Sequence, residues 1–228
     1  MPDPDPFVEI SKTQNWVKYA SLLLAQSKLE PLGPAQLRSH GYRVDEQTGE
    51  IRPLGHTPWG VIKDETMLRQ LRRARDLLKP LPRNIIMIST PASIESGCPH
   101  TYGDAGKETA YILFPGWLGR VVSLYTMVHE CVHVYQKYSG KTNELYLNKS
   151  RIDELLNDPD TLRQSRLNPD ANPIMYKTNG TDMLCVRDDE RTAPLEKEAY
   201  DAERWLNLLL RWRRLNLVLR WRRLNLKF

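Results

Sequence analysis

Length, composition and charge limit the possible classes of protein before any motif is considered. The chain has 228 residues, 40% of them hydrophobic, and a net charge of +5, which is enough for one well-buried core. Its three cysteines are too few and odd in number for a disulfide framework, which favours a reducing interior. Met1–Pro6 lacks the basic start of a signal peptide and no transmembrane segment is recognised, so a cytoplasmic protein is expected.

The first 80 residues are predicted to form an N-terminal helical extension. A first helix runs from Phe7 to about Leu29 and is followed by a Pro/Gly segment. A second helix, rich in Arg and Leu, spans Asp64 to Leu78 and ends at a Lys-Pro pair.

Two short strands come next and predict an α+β fold. The run Asn84–Thr90 is rich in β-branched residues and indicates a buried strand, and Glu108–Phe114 indicates a second one. The second strand is either internal or an edge strand that binds an extended peptide as an added strand. Between them, the turn-rich loop Gly97–Lys107 could overhang a cleft, where His100 is a possible extra donor.

The segment His129-Glu130-Cys131-Val132-His133 carries the most informative signal in the chain. Residues four apart lie one above the other on an α-helix, so both histidines can direct their imidazoles at one metal ion. Glu130 lies about 100° round the helix and can reach a metal-bound water without entering the coordination shell. Two nitrogen ligands beside a carboxylate base are typical of zinc-assisted hydrolysis.

The alternative is that these histidines are ordinary core or surface groups. The flanking residues, from Val121 to Tyr135, are mainly apolar and contain no Gly or Pro, so this helix is predicted to be buried. Unpaired histidines and a glutamate in a buried helix are costly, and a bound metal ion removes that cost. The context therefore favours a metal site.

A catalytic zinc site needs a third protein ligand and leaves a fourth position open. The remaining histidines, His40, His56 and His100, all precede the motif, so the ligand is sought in the acid-rich helix predicted for residues 193–205. Pro194 suits the first turn of that helix. The acids there are either ligand candidates or a solvated face: Glu196, Glu198, Asp201 and Glu203.

The two motifs together resemble the gluzincin metallopeptidases, most closely the minimal gluzincin-type domains of bacteria and phages. In that family a His-Glu-x-x-His-x-x-Gln helix, here His129–Gln136, precedes a Pro-x-Glu-x-Glu-Ala helix, here Pro194–Ala199. The resemblance covers about residues 84–205. It implies a zincin-like fold, in which a small mixed sheet packs on the active-site helix and a second zinc helix lies downstream.

Carried over by position, the resemblance implies Zn²⁺ bound by His129, His133 and Glu198, with Glu130 as the general base. The gap of about 60 residues between the helices is longer than in the shortest members, which leaves Glu196 as an alternative to Glu198.

The segment between the motifs offers less specific information. Ser139–Arg191 contains turn signals around a short helix near Ser150–Leu156 and could wall a cleft. Electrophilic assistance near zinc usually comes from Tyr, His or Arg. The candidates are Tyr176, Tyr200 and His100, and the sequence does not rank them.

Residues 206–228 form a basic repeat tail. Leu206–Arg214 recurs as Leu215–Arg223, and the tail carries seven basic residues and no acid, so the rest of the chain has a net charge of −2. Nine residues are two and a half helical turns, which places Trp212 and Trp221 on opposite faces and disfavours a membrane-surface helix. Two interpretations of the tail are considered. Either it binds an anionic partner, such as nucleic acid or lipid, or it is a recent duplication without a function.

The sequence thus predicts a zinc metallopeptidase, specifically an endopeptidase, with a catalytic domain at residues 81–205. Glu130 activates a zinc-bound water to attack a peptide or protein substrate and then passes the proton to the leaving amine. The alternative is a non-catalytic zinc-containing interaction protein that binds an anionic partner through its tail. A structural site needs no base and usually fills all four metal positions, so Glu130 favours the enzyme.

Overall fold

Short strands and longer helices alternate along the chain. The computed structural model describes residues 5–29, 35–55, 59–78, 80–141, 153, 157–163, 165–170, 174–177 and 194–225. The helices are α1 (Pro6–Ile10), α2 (Gln14–Lys28), α3 (Ala35–Ser39), α4 (Glu65–Leu77), α5 (Leu124–Tyr138), α6 (Pro159–Arg163) and α7 (Pro194–Asn225). The strands are β1 (Tyr42–Val44), β2 (Ile51–Pro53), β3 (Gly60–Val61), β4 (Asn84–Thr90), β5 (His100–Gly103), β6 (Thr109–Pro115), β7 (Ser165–Asn168) and β8 (Ile174–Lys177).

The main sheet has four strands in the order β3-β4-β6-β5. β4 and β6 pair in parallel, whereas β3 and β5 pair antiparallel with their neighbours, so the sheet is mixed. β1 and β2, and likewise β7 and β8, form separate antiparallel pairs. The predicted α+β class with a small mixed sheet is confirmed. β4 has the bounds expected from the sequence, and β6 is displaced by one residue.

The main sheet is covered on both faces because successive strand residues point to opposite sides. Ile88 and Leu113 pack with side chains of α1 and α2 on one face. Their neighbours Met87 and Ile112 pack with α4, α5 and the Leu206 side chain of α7 on the other. The N-terminal extension therefore shares its core with the predicted catalytic domain.

The helix expected from Phe7 to Leu29 is divided into α1 and α2. Thr13 caps α2, and its hydroxyl accepts the Trp16 N–H at 3.1 Å. Asp104, in the loop after β5, accepts hydrogen bonds from the N–H groups of Gln14 and Asn15, the first two residues of α2, at 3.0 and 3.1 Å. Since the first N–H groups of a helix have no partner within it, these contacts account for a new helix start at this position.

The edge-strand prediction for the Glu108–Phe114 run is wrong. The corresponding strand, β6, is internal because β4 and β5 flank it on either side. The edge strand next to α5 is β5, but its Thr101 N–H donates to Asp170 Oδ1 at 2.7 Å and its Thr101 carbonyl accepts from Lys137 Nζ at 2.8 Å. Thr101 therefore has no free backbone group for pairing with an added strand.

Helix α7 runs without interruption through the expected boundary between catalytic domain and tail. It has 32 residues, and Leu206, the first residue of the predicted tail, is buried in the core. Leu208 and Trp212 are exposed.

None of the helices, over the residues that are described, is both long and apolar enough to cross a membrane. The helix predicted near Ser150–Leu156 and most of the Ser139–Arg191 segment lie outside the described residues.

Candidate metal centre

The segment His129–His133 lies on helix α5, which is largely buried. Ser123 caps it, with its hydroxyl accepting the Thr126 N–H at 3.1 Å. His129 and His133 lie one turn apart, and their Nε2 atoms are separated by 3.1 Å. The two imidazoles therefore face a common point.

Glu196, in the first turn of α7, meets the two imidazoles at this point. Its Oε2 lies 3.4 Å from His129 Nε2 and 3.5 Å from His133 Nε2. Its Oε1 accepts a hydrogen bond of 2.9 Å from the side-chain amide of Asn168 on β7. Because Glu196 is buried and held at both oxygens, its carboxylate is directed at the histidine pair.

The spacing of these three atoms fits a zinc ion. Zinc binds nitrogen and oxygen at about 2.0–2.1 Å, which puts tetrahedral ligand atoms about 3.3 Å from one another. The observed separations of 3.1, 3.4 and 3.5 Å correspond to three edges of such a tetrahedron. Two histidines and one glutamate make up the group that could hold a metal ion, a set that leaves the fourth tetrahedral position open.

Glu198, the third ligand implied by the resemblance, contacts other residues, and it is Glu196 that lies beside the histidine pair. Two residues advance an α-helix by about 200°, so the two glutamates point to opposite sides of α7. The Glu198 carboxylate is bound by Lys141 Nζ at 2.7 and 2.8 Å and by Gln136 Nε2 at 3.0 Å. Of the two glutamates that the sequence left open, Glu196 is the one beside the histidines.

The electrostatics of the group favour positive charge. Burial lowers the pKa of His129, but Glu196 and Glu203 outweigh burial and raise it to about 11. Burial also lowers the pKa of His133, and the negative charge of Glu196 reverses the effect to a net increase. Conversely, burial raises the pKa of Glu196, but His133 and His129 hold it well below the usual range. A site that stabilises positive charge this strongly suits a divalent cation.

Glu130 is buried beside the metal-ligating group without belonging to it. Its Oε2 has no hydrogen-bond partner among the described residues. Burial and the charge of Asp170 raise the pKa of Glu130 to about 8, against the opposing influence of the two histidines. A carboxyl group with a free oxygen and a raised pKa has the properties of a general base.

Each histidine has a second partner at its Nδ1 atom. His133 Nδ1 lies 2.9 Å from Gln136 Oε1, and because an amide oxygen only accepts, Nδ1 carries a proton, so in the neutral ring that binds a metal ion Nε2 keeps its lone pair. His129 Nδ1 lies 2.9 Å from Glu203 Oε1, a close charge contact whose angle falls short of hydrogen-bond geometry. Such outer partners orient metal-ligating histidines.

A cleft of about 510 Å³ opens beside the metal group. Two of the three candidates for electrophilic assistance, His100 and Tyr200, line it. The Tyr200 ring also meets the His129 ring edge-on, with 4.9 Å between centroids. Tyr176 lies on β8, and its side chain is outside the described part of the structure, as is all of His56.

Two polar clusters near the cleft were not predicted. In one, Tyr19, His40 and Glu95 are joined by hydrogen bonds. In the other, Lys137 donates to Thr101 Oγ1 at 2.6 Å, and Thr101 Oγ1 donates to Asp170 at 2.9 Å. Their members come from distant parts of the sequence, so no local spacing indicates either cluster.

Comparison with known proteins adds no identification. No family model, no curated protein and no solved structure matches this chain. The resemblance to gluzincins therefore depends on the motif residues alone.

Proposed function

We propose that this protein is a zinc-dependent hydrolase of peptide bonds, with His129, His133 and Glu196 as metal ligands and Glu130 as the general base. The observation that carries the proposal is the convergence of three ligand atoms, 3.1 to 3.5 Å apart, beside a buried carboxyl group with a free oxygen. A bound zinc ion supplies Lewis acidity towards water and a substrate carbonyl.

Glu130 carries the proton transfers in this proposal. Its free Oε2 takes a proton from the attacking water and later delivers that proton to the nitrogen of the leaving amine. Burial strengthens the basicity of the carboxylate, and Asp170 contributes further through its negative charge.

The remaining polar groups hold the ligands in position. Gln136 fixes the tautomer of His133, and Glu203 lies against Nδ1 of His129. Asn168 binds the Glu196 oxygen that faces away from the histidines, which leaves Oε2 for the metal ion. Of the candidates for stabilising the developing oxyanion, Tyr200 lines the cleft and lies against the His129 ring.

Replacement of Glu130 tests the proposal. Wild type and Glu130→Gln are compared for zinc content by elemental mass spectrometry and for digestion of casein. We expect one zinc per chain in both proteins and cleavage by wild type only, since the amide keeps the shape of the side chain but removes its basicity. Glu65→Gln, at a side chain that is 77% exposed, is the matched control and should behave as wild type.

Two other outcomes have clear meanings. Equal cleavage by wild type and Glu130→Gln would exclude Glu130 as the base. Stoichiometric zinc in both proteins with cleavage by neither would favour the non-catalytic zinc protein.

A further inference from the structure

Two histidines outside the metal group, His40 and His100, line the same cleft. We call this pair the histidine wall. Both residues are largely buried, His40 at 9% and His100 at 1% exposure. The protonation of each ring can be worked out from its neighbours.

In His40 the proton must be on Nδ1. The Tyr19 hydroxyl donates its only proton to Glu95 Oε1 at 2.7 Å. His40 Nδ1 lies 2.7 Å from the other carboxylate oxygen of Glu95, which can only accept. Nδ1 is therefore the donor, and in the neutral ring Nε2 keeps its lone pair. The hydrogen bonds described for His40 involve Nδ1 alone, so Nε2 is left for a ligand.

His100 has the same tautomer. Its Nδ1 lies 2.9 Å from the carbonyl oxygen of Cys98, which again only accepts. Its Nε2 is buried and has no hydrogen-bond partner among the described residues. A buried acceptor without a partner destabilises the protein unless something donates to it. His100 thus presents a buried acceptor that lacks a donor, and His40 presents an Nε2 to which no hydrogen bond is described.

The position of His40 is fixed by a strained turn. Glu95 and Ser96 have φ angles of 44° and 55°, which are uncommon for residues other than glycine. The Glu95 N–H donates to the His40 carbonyl at 3.1 Å, so backbone and side chain both join these two residues. A Cβ atom at Gly41 would lie 2.5 Å from the Ser93 carbonyl oxygen, and only glycine permits this approach.

The charges of the cleft select the same kind of ligand. Among the described lining residues there are five carboxylates and neither Lys nor Arg. The carboxylates are Glu95, Glu130, Asp170, Glu196 and Glu203. Away from the metal ligands, this excess of carboxylates disfavours a phosphate or carboxylate group and favours ammonium groups and neutral amide N–H groups.

The backbone of strand β5 does not accept peptide N–H groups at Thr101. The N–H and C=O groups of Thr101 on β5 are occupied by Asp170 and Lys137. A peptide beside Thr101 therefore finds no free backbone group there, and its N–H groups need other acceptors.

We propose that the histidine wall binds substrate, with Nε2 of His40 and Nε2 of His100 each accepting a hydrogen bond from an N–H group of a peptide. This inference rests on the proposed function and adds a substrate class to it: N–H-rich, neutral or cationic peptides, and not phosphate or carboxylate esters.

The test asks whether the loss of affinity caused by replacing each histidine depends on one particular N–H group of the peptide. The probe is the casein-derived peptide that wild type cleaves fastest, together with analogues N-methylated at one backbone nitrogen each. Binding is measured by calorimetry on the zinc-loaded Glu130→Gln protein, alone and with His40→Ala or His100→Ala added. Zinc content and thermal unfolding of every variant are recorded alongside.

We expect each histidine substitution to weaken binding of the unmethylated peptide about 3- to 10-fold. The loss should disappear for the one analogue whose methylated nitrogen no longer donates to that histidine. A purely structural role would weaken all analogues alike, and that result would overturn the inference.

Further outcomes separate this inference from the proposed function. Suppose that wild type cleaves casein, but that the effect of each histidine substitution is the same for every methylated analogue. The histidine wall then does not bind substrate N–H groups, and the hydrolase proposal stands. If wild type cleaves no peptide, both fail. If an alanine variant does not fold, the N-methyl series on the Glu130→Gln protein decides, because equal affinity for every analogue contradicts the inference.

Discussion

Gln136 Oε1 lies 2.9 Å from His133 Nδ1, and through its amide nitrogen the same side chain reaches helix α7. The nitrogen donates to the Leu195 carbonyl at 2.9 Å and to the Glu198 carboxylate at 3.0 Å. Because Leu195 immediately precedes Glu196, Gln136 fixes both the orientation of one ligand and the distance to the helix that supplies another.

Replacing Gln136 should therefore weaken metal binding without removing a ligand. We expect Gln136→Ala to lower zinc affinity about 10- to 100-fold, the usual effect of losing an outer-shell partner. The measurement is competition with a chromophoric chelator. Gln26→Ala is the matched control, since Gln26 is also buried and bonded to a backbone carbonyl, that of Leu162, but belongs to α2 and not to either helix of the metal site. Similar zinc affinities for the two variants would contradict a specific role for Gln136.

Two glutamates of α7 should respond differently to removal. We expect Glu196→Ala to lower zinc affinity by more than about 100-fold, because a ligand atom is lost and the histidine pair keeps no anionic partner at Nε2. Glu198→Ala removes only the contacts with Lys141 and Gln136, so its loss should not exceed about 10- to 100-fold. The same chelator competition measures both, and the reverse order would restore Glu198 as the ligand.

The sequence predicted the parts of the site that depend on one helix. His129 and His133 are four residues apart, so helical geometry alone brings them together, and the run of apolar residues predicted the burial of α5. Strands β4 and β6 followed from the two apolar runs, whereas the mixed sheet was expected only from the resemblance to gluzincins.

The choice between Glu196 and Glu198 could not be made from local pattern. Both lie in the first turn and a half of α7. Which of the two glutamates faces the histidines depends on how that helix is rotated against α5. That rotation is set by tertiary contacts, such as those of Gln136 with Leu195 and of Leu206 with the core. Likewise, the meeting of His40 with Glu95 depends on the packing of α3 against a distant turn, and no spacing in the sequence encodes it.

The raised pKa of Glu130 leads to a prediction for the metal-free protein. An acid whose pKa is raised on folding stabilises the fold below its unfolded value, here 4.5, and this contribution is lost as the pH rises through about 8. Between about pH 5 and 8, metal-free wild type should therefore lose stability relative to metal-free Glu130→Gln, on the order of a few kcal/mol.

Thermal or urea unfolding across this pH range, in the presence of a chelator, measures the difference. The histidine–Glu196 pair is present in both proteins: the stabilisation from His129 declines between pH 6.5 and about 11, and that from Glu196 declines only below its unfolded value of 4.5. The difference between the two stability curves therefore reports Glu130. Parallel stability curves for the two proteins would show that folding does not raise the pKa of Glu130.

The last prediction separates the structural part of α7 from its basic end. Leu206 is buried against the α4–α5 face of the sheet, so a chain that ends at Trp205 loses a core side chain. Removal of a buried leucine side chain typically costs about 2–5 kcal/mol, which should lower both stability and zinc content. A chain that ends at Trp212 keeps Leu206 and the half-buried Leu210, and should retain wild-type stability and zinc.

The truncation at Trp212 is therefore the one that tests the predicted anionic partner. It removes six of the seven basic residues of the tail while both helices of the metal site are kept. Wild type should bind heparin or anionic vesicles with an affinity that falls steeply with salt, and the shortened chain should not, because the attraction depends on this clustered charge. A matched comparison is Leu208→Ala, an exposed position in the retained part, which should leave both stability and anion binding unchanged within error. Undiminished heparin binding by the stable, zinc-loaded truncation would mean that the repeat is not the anion-binding element, and that the attraction comes from another basic surface of the fold.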